Sequence, residues 1–154
     1  MIKKLNHSNQ QIAHHIFQVF QSSYKIEADL IGVDEFPPLN RSVSDISQSG
    51  TQFYGFYMEA GLAAVIEVET NKTNAGDKAL QICSLTVDPS YFRKGIAGQL
   101  IEYVCDLTDI TEYEVETAVV NQPAIMLYQK HGFVEVKTYV PAHGIPKVVM
   151  RKVK

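Results

Sequence analysis

The sequence predicts a single domain of the α/β (α+β) class, its helices interleaved among the strands of a mixed, mostly antiparallel sheet. Three observations lead there. Apolar residues recur at helical spacing in two separated segments, Ile12 to Tyr24 and Ile96 to Leu107. Aromatic and β-branched runs of strand length, ended by turn residues, fill much of the remaining chain. A length of 154 residues, with 45% hydrophobic and 20% charged side chains, suits one domain with a sizeable core, expected over residues 1–154.

The elements follow in order. Ser8, with Gln11 three positions later, has the form of a capping box. A helix is expected to begin there, with Ile12, Ile16, Val19, Phe20 and Tyr24 on its apolar face. The stretch "GVDEFPPLNRSVSDISQSG" is rich in Pro, Gly, Ser and charge and reads as an extended loop holding one short helix near Val43–Ser47. From Thr51 the period changes, and "TQFYGFYMEAGLAAVIEVET" reads as a β-hairpin turning near Glu59–Gly61. After the polar loop "NKTNAGDK", the run "ALQICSLTV" is a strand stopped by Asp88 and Pro89. Ile96, Ala97, Leu100, Ile101, Val104 and Leu107 then share one helical face. "YEVETAVV" is a strand, and "PAIMLYQKHG" opens on a proline suited to a first helical turn and ends on a glycine suited to a C-cap. "FVEVKTYV" and "KVVMRKV" complete the sheet, joined through "PAHGIP".

Composition excludes several functions. A net charge of −3 gives no basic excess or stripe of the kind nucleic-acid binding needs, and no apolar run reaches membrane-spanning length. The N-terminus "MIKKLNHSNQ" has no apolar segment behind its lysines, so it is not a signal peptide and a cytoplasmic location is expected. Cys83 and Cys105 lack ligand spacing and are expected as two buried thiols. His14 and His15 are helical neighbours about 100° apart, a poor arrangement for sharing a metal, and none is expected.

The stretch "FRKGIAG" (residues 92–98) lies between a strand and a helix. Glycine there permits a tight turn, and the first amides of the following helix have no internal acceptors. Such a helix start can bind an anion, particularly a pyrophosphate. Taken alone, the stretch reads first as an ordinary turn with solvated charges at Arg93 and Lys94. It is neither a GxxxxGK[ST] loop nor a GxGxxG fingerprint.

In its wider context, "LTVDPSYFRKGIAGQLIEYV" resembles the acetyl-CoA-binding segment of the Gcn5-related N-acetyltransferase (GNAT) superfamily. That segment has a strand ending in Val-x-Pro, a loop of the form [Gln/Arg]-x-x-Gly-x-[Gly/Ala] and an amphipathic helix. Val87, Pro89, Gly95, Ala97 and Leu100 match it. A second segment, "NQPAIMLYQKHGFVEV", resembles the family's downstream motif Asn-x-x-Ala-x-x-Leu-Tyr-x-x-x-Gly-Phe, matched by Asn121, Ala124, Leu127, Tyr128, Gly132 and Phe133. The resemblance implies a central sheet with helices on both faces. It implies acetyl-CoA as cosubstrate, its pyrophosphate on the amides of Arg93, Lys94, Gly95, Ile96, Ala97 and Gly98. The strand at Leu85 and Val87 would pair with the pantetheine arm. Phe92 departs from the pattern, standing where the family has Gln or Arg.

By the same resemblance Tyr128 is the general acid that protonates the departing thiolate. The reference pKa values, about 10 for tyrosine and about 8.5 for a thiol, make that transfer chemically reasonable. Asn121 is expected as a helix cap, as a cofactor contact, or both. No general base stands out. The family's strand glutamate falls at Gln81; Glu67 and Glu69, on one face of the preceding strand, and His143 are the alternatives, with Glu67 taken as the base. The acceptor, a small-molecule or peptide amine, is expected between "GVDEFPPLNR" and "YVPAHGIPK", where Asp34, Glu35 and Glu67 would attract a cation. A homodimer is a family-level expectation. The rival function is a non-catalytic acyl-CoA-binding sensor or regulatory module.

Overall fold

In a computed structural model that describes residues 1–154, the chain begins with a short strand, β1 (Ile2–Leu5), antiparallel to the next strand in the sheet. Its four residues include two lysines, too little apolar pattern to announce a strand. The first helix, α1 (Gln10–Ile31), starts one residue later than the capping-box reading placed it. Asn9 caps it, its side-chain oxygen accepting from the N–H groups of Gln11 at 2.9 Å and Ile12 at 3.2 Å, while Ser8 donates instead to Asn6. Both residues are good caps; Asn9 has the extended ψ of 125° that the position requires. The helix continues past Tyr24 to Gly32, which closes it at φ +74°.

A 3₁₀ turn at Pro37–Asn40 leads to α2 (Val43–Ser47), opened by a reciprocal capping box between Ser42 and Asp45. The hairpin β2 (Gln52–Met58) and β3 (Gly61–Lys72) follows, then β4 (Lys78–Val87), α3 (Ile96–Cys105), β5 (Ile110–Ala118), α4 (Gln122–Lys130), β6 (Val134–Tyr139) and β7 (Lys147–Val153). The seven strands form one sheet in the order β1-β2-β3-β4-β5-β7-β6. Every neighbouring pair is antiparallel except β4 and β5. That parallel pair is the place where α3 serves as the crossover.

Both faces are covered, because successive side chains on a strand point to opposite sides. On one face Ala13, Ile16, Val19 and Phe20 of α1 and Ile46 of α2 pack on Leu5, Phe53 and Val65. On the other, Leu100, Ile101 and Val104 of α3 and Ile125 and Tyr128 of α4 pack on Ile66, Val68, Leu80, Ile82 and Met150. Each such fully buried aliphatic or aromatic side chain contributes about 1.5–3 kcal/mol, so the two layers hold the sheet rigidly between them. No helix is long and apolar enough to cross a membrane.

Candidate active site

The site begins with one extra residue in β4. In the β3–β4 ladder Val68 lies opposite Ile82, but Glu67 lies opposite Ser84, so Cys83 is a β-bulge. The bulge inverts the alternation beyond it. Ile82 faces α3 and α4, yet Leu85 and Val87 pack on that same face, while Ser84 and Thr86 lie on the face of α1. Pairing of β4 with β5 ends at Ile82–Val115, although the strands run on to Val87 and Ala118. The sheet is therefore open between Cys83–Val87 and Glu116–Ala118. Main-chain polar groups of β4 on that side have no strand partner, a state that favours a ligand able to pair with them.

Beyond β4 the chain forms the loop that the sequence singled out. Asp88 holds the N–H of Ser90 at 2.9 Å and a 3₁₀ turn follows at Pro89–Tyr91. Arg93 then adopts φ +64° and Gly95 φ +75°, with Lys94 between them at negative φ. A left-handed residue other than glycine costs about 1–3 kcal/mol and points to a functional constraint. Alternating signs of φ turn successive N–H groups toward a common concavity suited to anions. Gly95 is the N-cap of α3 and offers no side chain, so the N–H groups of Ile96, Ala97 and Gly98 find no acceptor in the protein. A Cβ on Gly95 would stand in open space.

Gly98 has a different reason. A Cβ there would come within 3.1 Å of His131 Nε2, so this glycine lets α3 and the end of α4 approach. The loop residues Phe92–Gly98, with Val87 and with Pro123, Ala124 and Leu127 of α4, surround a cavity of about 350 Å³. Phe92 is 42% exposed and lines it with its ring.

A second cavity, about 110 Å³, occupies the opening in the sheet. Ser84 and Leu85 of β4 and Glu116 and Thr117 of β5 form its sides. Tyr128 and Ala124 reach it from α4, and Tyr24 and Glu27 from α1. Phe36, Pro38 and Lys147 also line it, so both stretches expected to border the acceptor supply a wall, but Asp34, Glu35, Gln81 and His143 do not. Ala124 borders both cavities, so the one at the loop and the one in the sheet are neighbours.

Tyr128 is 5% exposed, its ring edge-on to Phe133 at 5.5 Å, and its hydroxyl forms no hydrogen bond within the protein. Burial, and then the Glu27 carboxylate, hold its phenol well above the usual tyrosine range, so it keeps its proton at neutral pH. Asn121 caps α4, accepting from the N–H of Ala124 at 3.3 Å, and its Nδ2 donates to Glu27 Oε1 at 2.9 Å. Burial raises the Glu27 carboxyl above its ordinary value, with Lys147 and the Asn121 bond acting in the opposite direction.

The structure does not bring Glu67 into this cavity. It is 2% exposed on the α1 face and filled by donors. Arg41 binds it through both nitrogens, at 2.7 and 2.9 Å, Thr51 donates at 2.6 Å and Ser84 at 3.0 Å. Burial pushes this carboxyl up, but the Arg41, Thr51 and Ser84 contacts outweigh it and leave the group below its usual range. Glu69 is exposed. The cysteines also depart from expectation: both are free, Cys83 is exposed on its bulge and Cys105 is half-buried. Burial of its sulfur and the Glu67 and Glu69 charges push the Cys83 thiol up to about 12, so it is a poor nucleophile. No group of three or more His, Cys, Asp or Glu side chains converges as a metal site.

Glu27 and Glu116 were not singled out from sequence, Tyr24 was read only as an apolar-face residue, and Lys147 entered only within the stretch "YVPAHGIPK". The available signal was only that Glu27 follows Tyr24 by one helical turn.

Known proteins place this geometry. UPF0157 protein YqkA of Bacillus subtilis (strain 168) is 38% identical over 146 residues, covering 94% of this chain. The chain spans only 41% of that relative's length. An acetyltransferase from Thermus thermophilus superposes with a TM-score of 0.74 at 18% identity, covering 100% of this chain and 97% of that one. The ribosomal-protein-S18-alanine N-acetyltransferase from Escherichia coli gives a TM-score of 0.72 at 19% identity, with coverage of 99% and 92%. These two show the shared fold. The family profile of the acetyltransferase (GNAT) domain matches residues 32–154, a span that holds the bulge, the loop at Phe92–Gly98 and Tyr128, and the chain belongs to the GNAT acetyltransferase family.

Proposed function

We propose that the protein transfers acetyl from acetyl-CoA to a primary amine by direct attack within a ternary complex. The single observation that carries this reading is the neighbourhood of two cavities across Ala124, one bordered by the unpaired amides of Ile96–Gly98 and the other by Tyr128 in the opening of the sheet. The CoA pyrophosphate would rest on the amides of Arg93, Lys94, Gly95, Ile96, Ala97 and Gly98, with the dipole of α3 favouring its charge. Phe92 offers no polar group, so these backbone donors do most of the holding. The pantetheine arm would pair with β4 at Leu85 and Val87, and β4 amides in the opening would polarise the thioester carbonyl. Tyr128, protonated and unbonded, would give its proton to the departing thiolate. Asn121 acts through the α4 cap and through Glu27. Glu67 is an anchor, tying the loop at Arg41 to β3 and β4.

The test is an acceptor panel of an amino acid, a polyamine, an aminoglycoside and a short peptide, with acetyl-CoA, on wild type and Tyr128→Phe. Both proteins should gain thermal stability with CoA, and turnover should fall about 100-fold in the variant. Stabilisation without turnover on any acceptor would make the protein a sensor, and absence of CoA binding would remove both readings.

A further inference from the structure

Three carboxylates lie in or near the opening, and they differ in what they are free to do. Glu67 has four donors and no access to the cavity. Glu116 lines the cavity but receives the hydroxyl of Tyr139. Glu27 lines the cavity, accepts only from Asn121 at Oε1, has no donor at Oε2 and makes no salt bridge. It comes from α1, on the face of the sheet opposite α4. An amine in the opening would thus have Tyr128 on the cofactor side and a free carboxylate oxygen on the other.

We propose that Glu27 is the catalytic base of the acyl transfer, oriented by Asn121 so that Oε2 receives the proton of the attacking amine. The assignment rests on the acyl-transfer reading above. The amine nitrogen attacks the thioester carbonyl carbon, the C–N bond forms and the C–S bond breaks. The surplus proton on nitrogen passes to Glu27 Oε2, and the thiolate takes the phenolic proton of Tyr128. Glu27 then releases its proton to water and Tyr128 regains one from water, so amine and thioester become amide and thiol with no net change in protons.

The acid and base sit in settings that push both carriers upward, the arrangement that lets one stay protonated while the other titrates nearer neutrality. The charged and titratable groups around Glu27 are Tyr24 on its own helix, Tyr128 from α4, Cys83 from β4, Glu116 from β5 and Lys147 from β7. Of these, Lys147 alone favours the carboxylate by charge, and it lies beyond salt-bridge distance.

The experiment is a pH–rate profile of kcat/KM with the best amine of the panel, for wild type, Glu27→Gln, Glu27→Asp and Glu116→Gln, alongside the CoA-induced thermal shift of each. Glu27→Gln keeps an oxygen for Asn121 and removes the base. It should bind CoA with the wild-type shift, lose about 100-fold in kcat/KM and lose the acid limb of the profile. Glu27→Asp should keep the limb at a reduced rate, and it carries the test if Glu27→Gln shows no CoA shift. An acid limb retained in Glu27→Gln, lost in Glu27→Asp, or lost in Glu116→Gln instead, overturns the assignment while leaving acyl transfer intact. No turnover by wild type on any amine overturns the acyl-transfer reading itself, and this assignment with it.

Discussion

Tyr128 and Glu27 come to the opening by different routes, and only one was readable beforehand. Tyr128 belongs to a motif whose members lie within one short helix and its flanks, so the resemblance to the family motif picks it out. Glu27 meets Asn121 across 94 positions of sequence, and nothing local to either residue announces the pairing. Glu116 is legible only in the same way, once the strands are assembled. The hydroxyl of Tyr128 has no partner in the protein, and its removal should therefore separate chemistry from stability. Tyr128→Phe keeps the ring against Phe133 and should change the free energy of unfolding by less than about 1.5 kcal/mol, the usual bound for a volume-conserving swap. Denaturant titration beside the turnover assay checks this, and a large loss of stability would assign the tyrosine to packing.

Among the elements, the helices and long strands followed from periodicity, and the departures have local causes. β1 is short and half lysine, so it exists as a strand only because β2 offers it an edge. The start of α1 was displaced because Ser8 and Asn9 are both competent caps and only backbone geometry selects between them. The two glycines of the loop looked alike in sequence and now divide. Gly95→Ala places a methyl in open space at a left-handed residue and should cost about 1 kcal/mol of stability while weakening CoA binding. Gly98→Ala should act on the fold, since its methyl must displace His131, a contact at 3.1 Å before any adjustment. Calorimetric CoA titration and thermal unfolding of the two variants distinguish them; equal effects on CoA affinity would contradict the division.

For the whole molecule, the Arg41–Glu67 pair joins the loop before α2 to β3, to β4 through Ser84 and to the entry of β2 through Thr51. Because the folded-state pKa of Glu67 lies below its unfolded value, its contribution is complete above the unfolded value of about 4.3. It is lost as the pH falls through the lower, folded value. Glu67→Gln should cost about 3 kcal/mol near neutrality, the low end for a broken buried pair because the Arg41 side chain stays 27% exposed. The variant should also show a shallower acid limb of stability, measured by urea titration at several pH values. A variant with unchanged acid sensitivity would place the acid response elsewhere.

The bulge at Cys83 sets the opening by a count of residues, without calling on any side chain's chemistry. Any amino acid can occupy the inserted place, so Cys83→Ala should keep the thermal response to CoA. Removing the codon should not. Ser84 and Thr86 would keep the face of α1 and Leu85 and Val87 that of α3, but the ladder would run on without its offset, and β4 and β5 would be free to zip shut. A protein whose working cleft is spelled as chain length is well protected against point substitution and exposed to a single in-frame deletion.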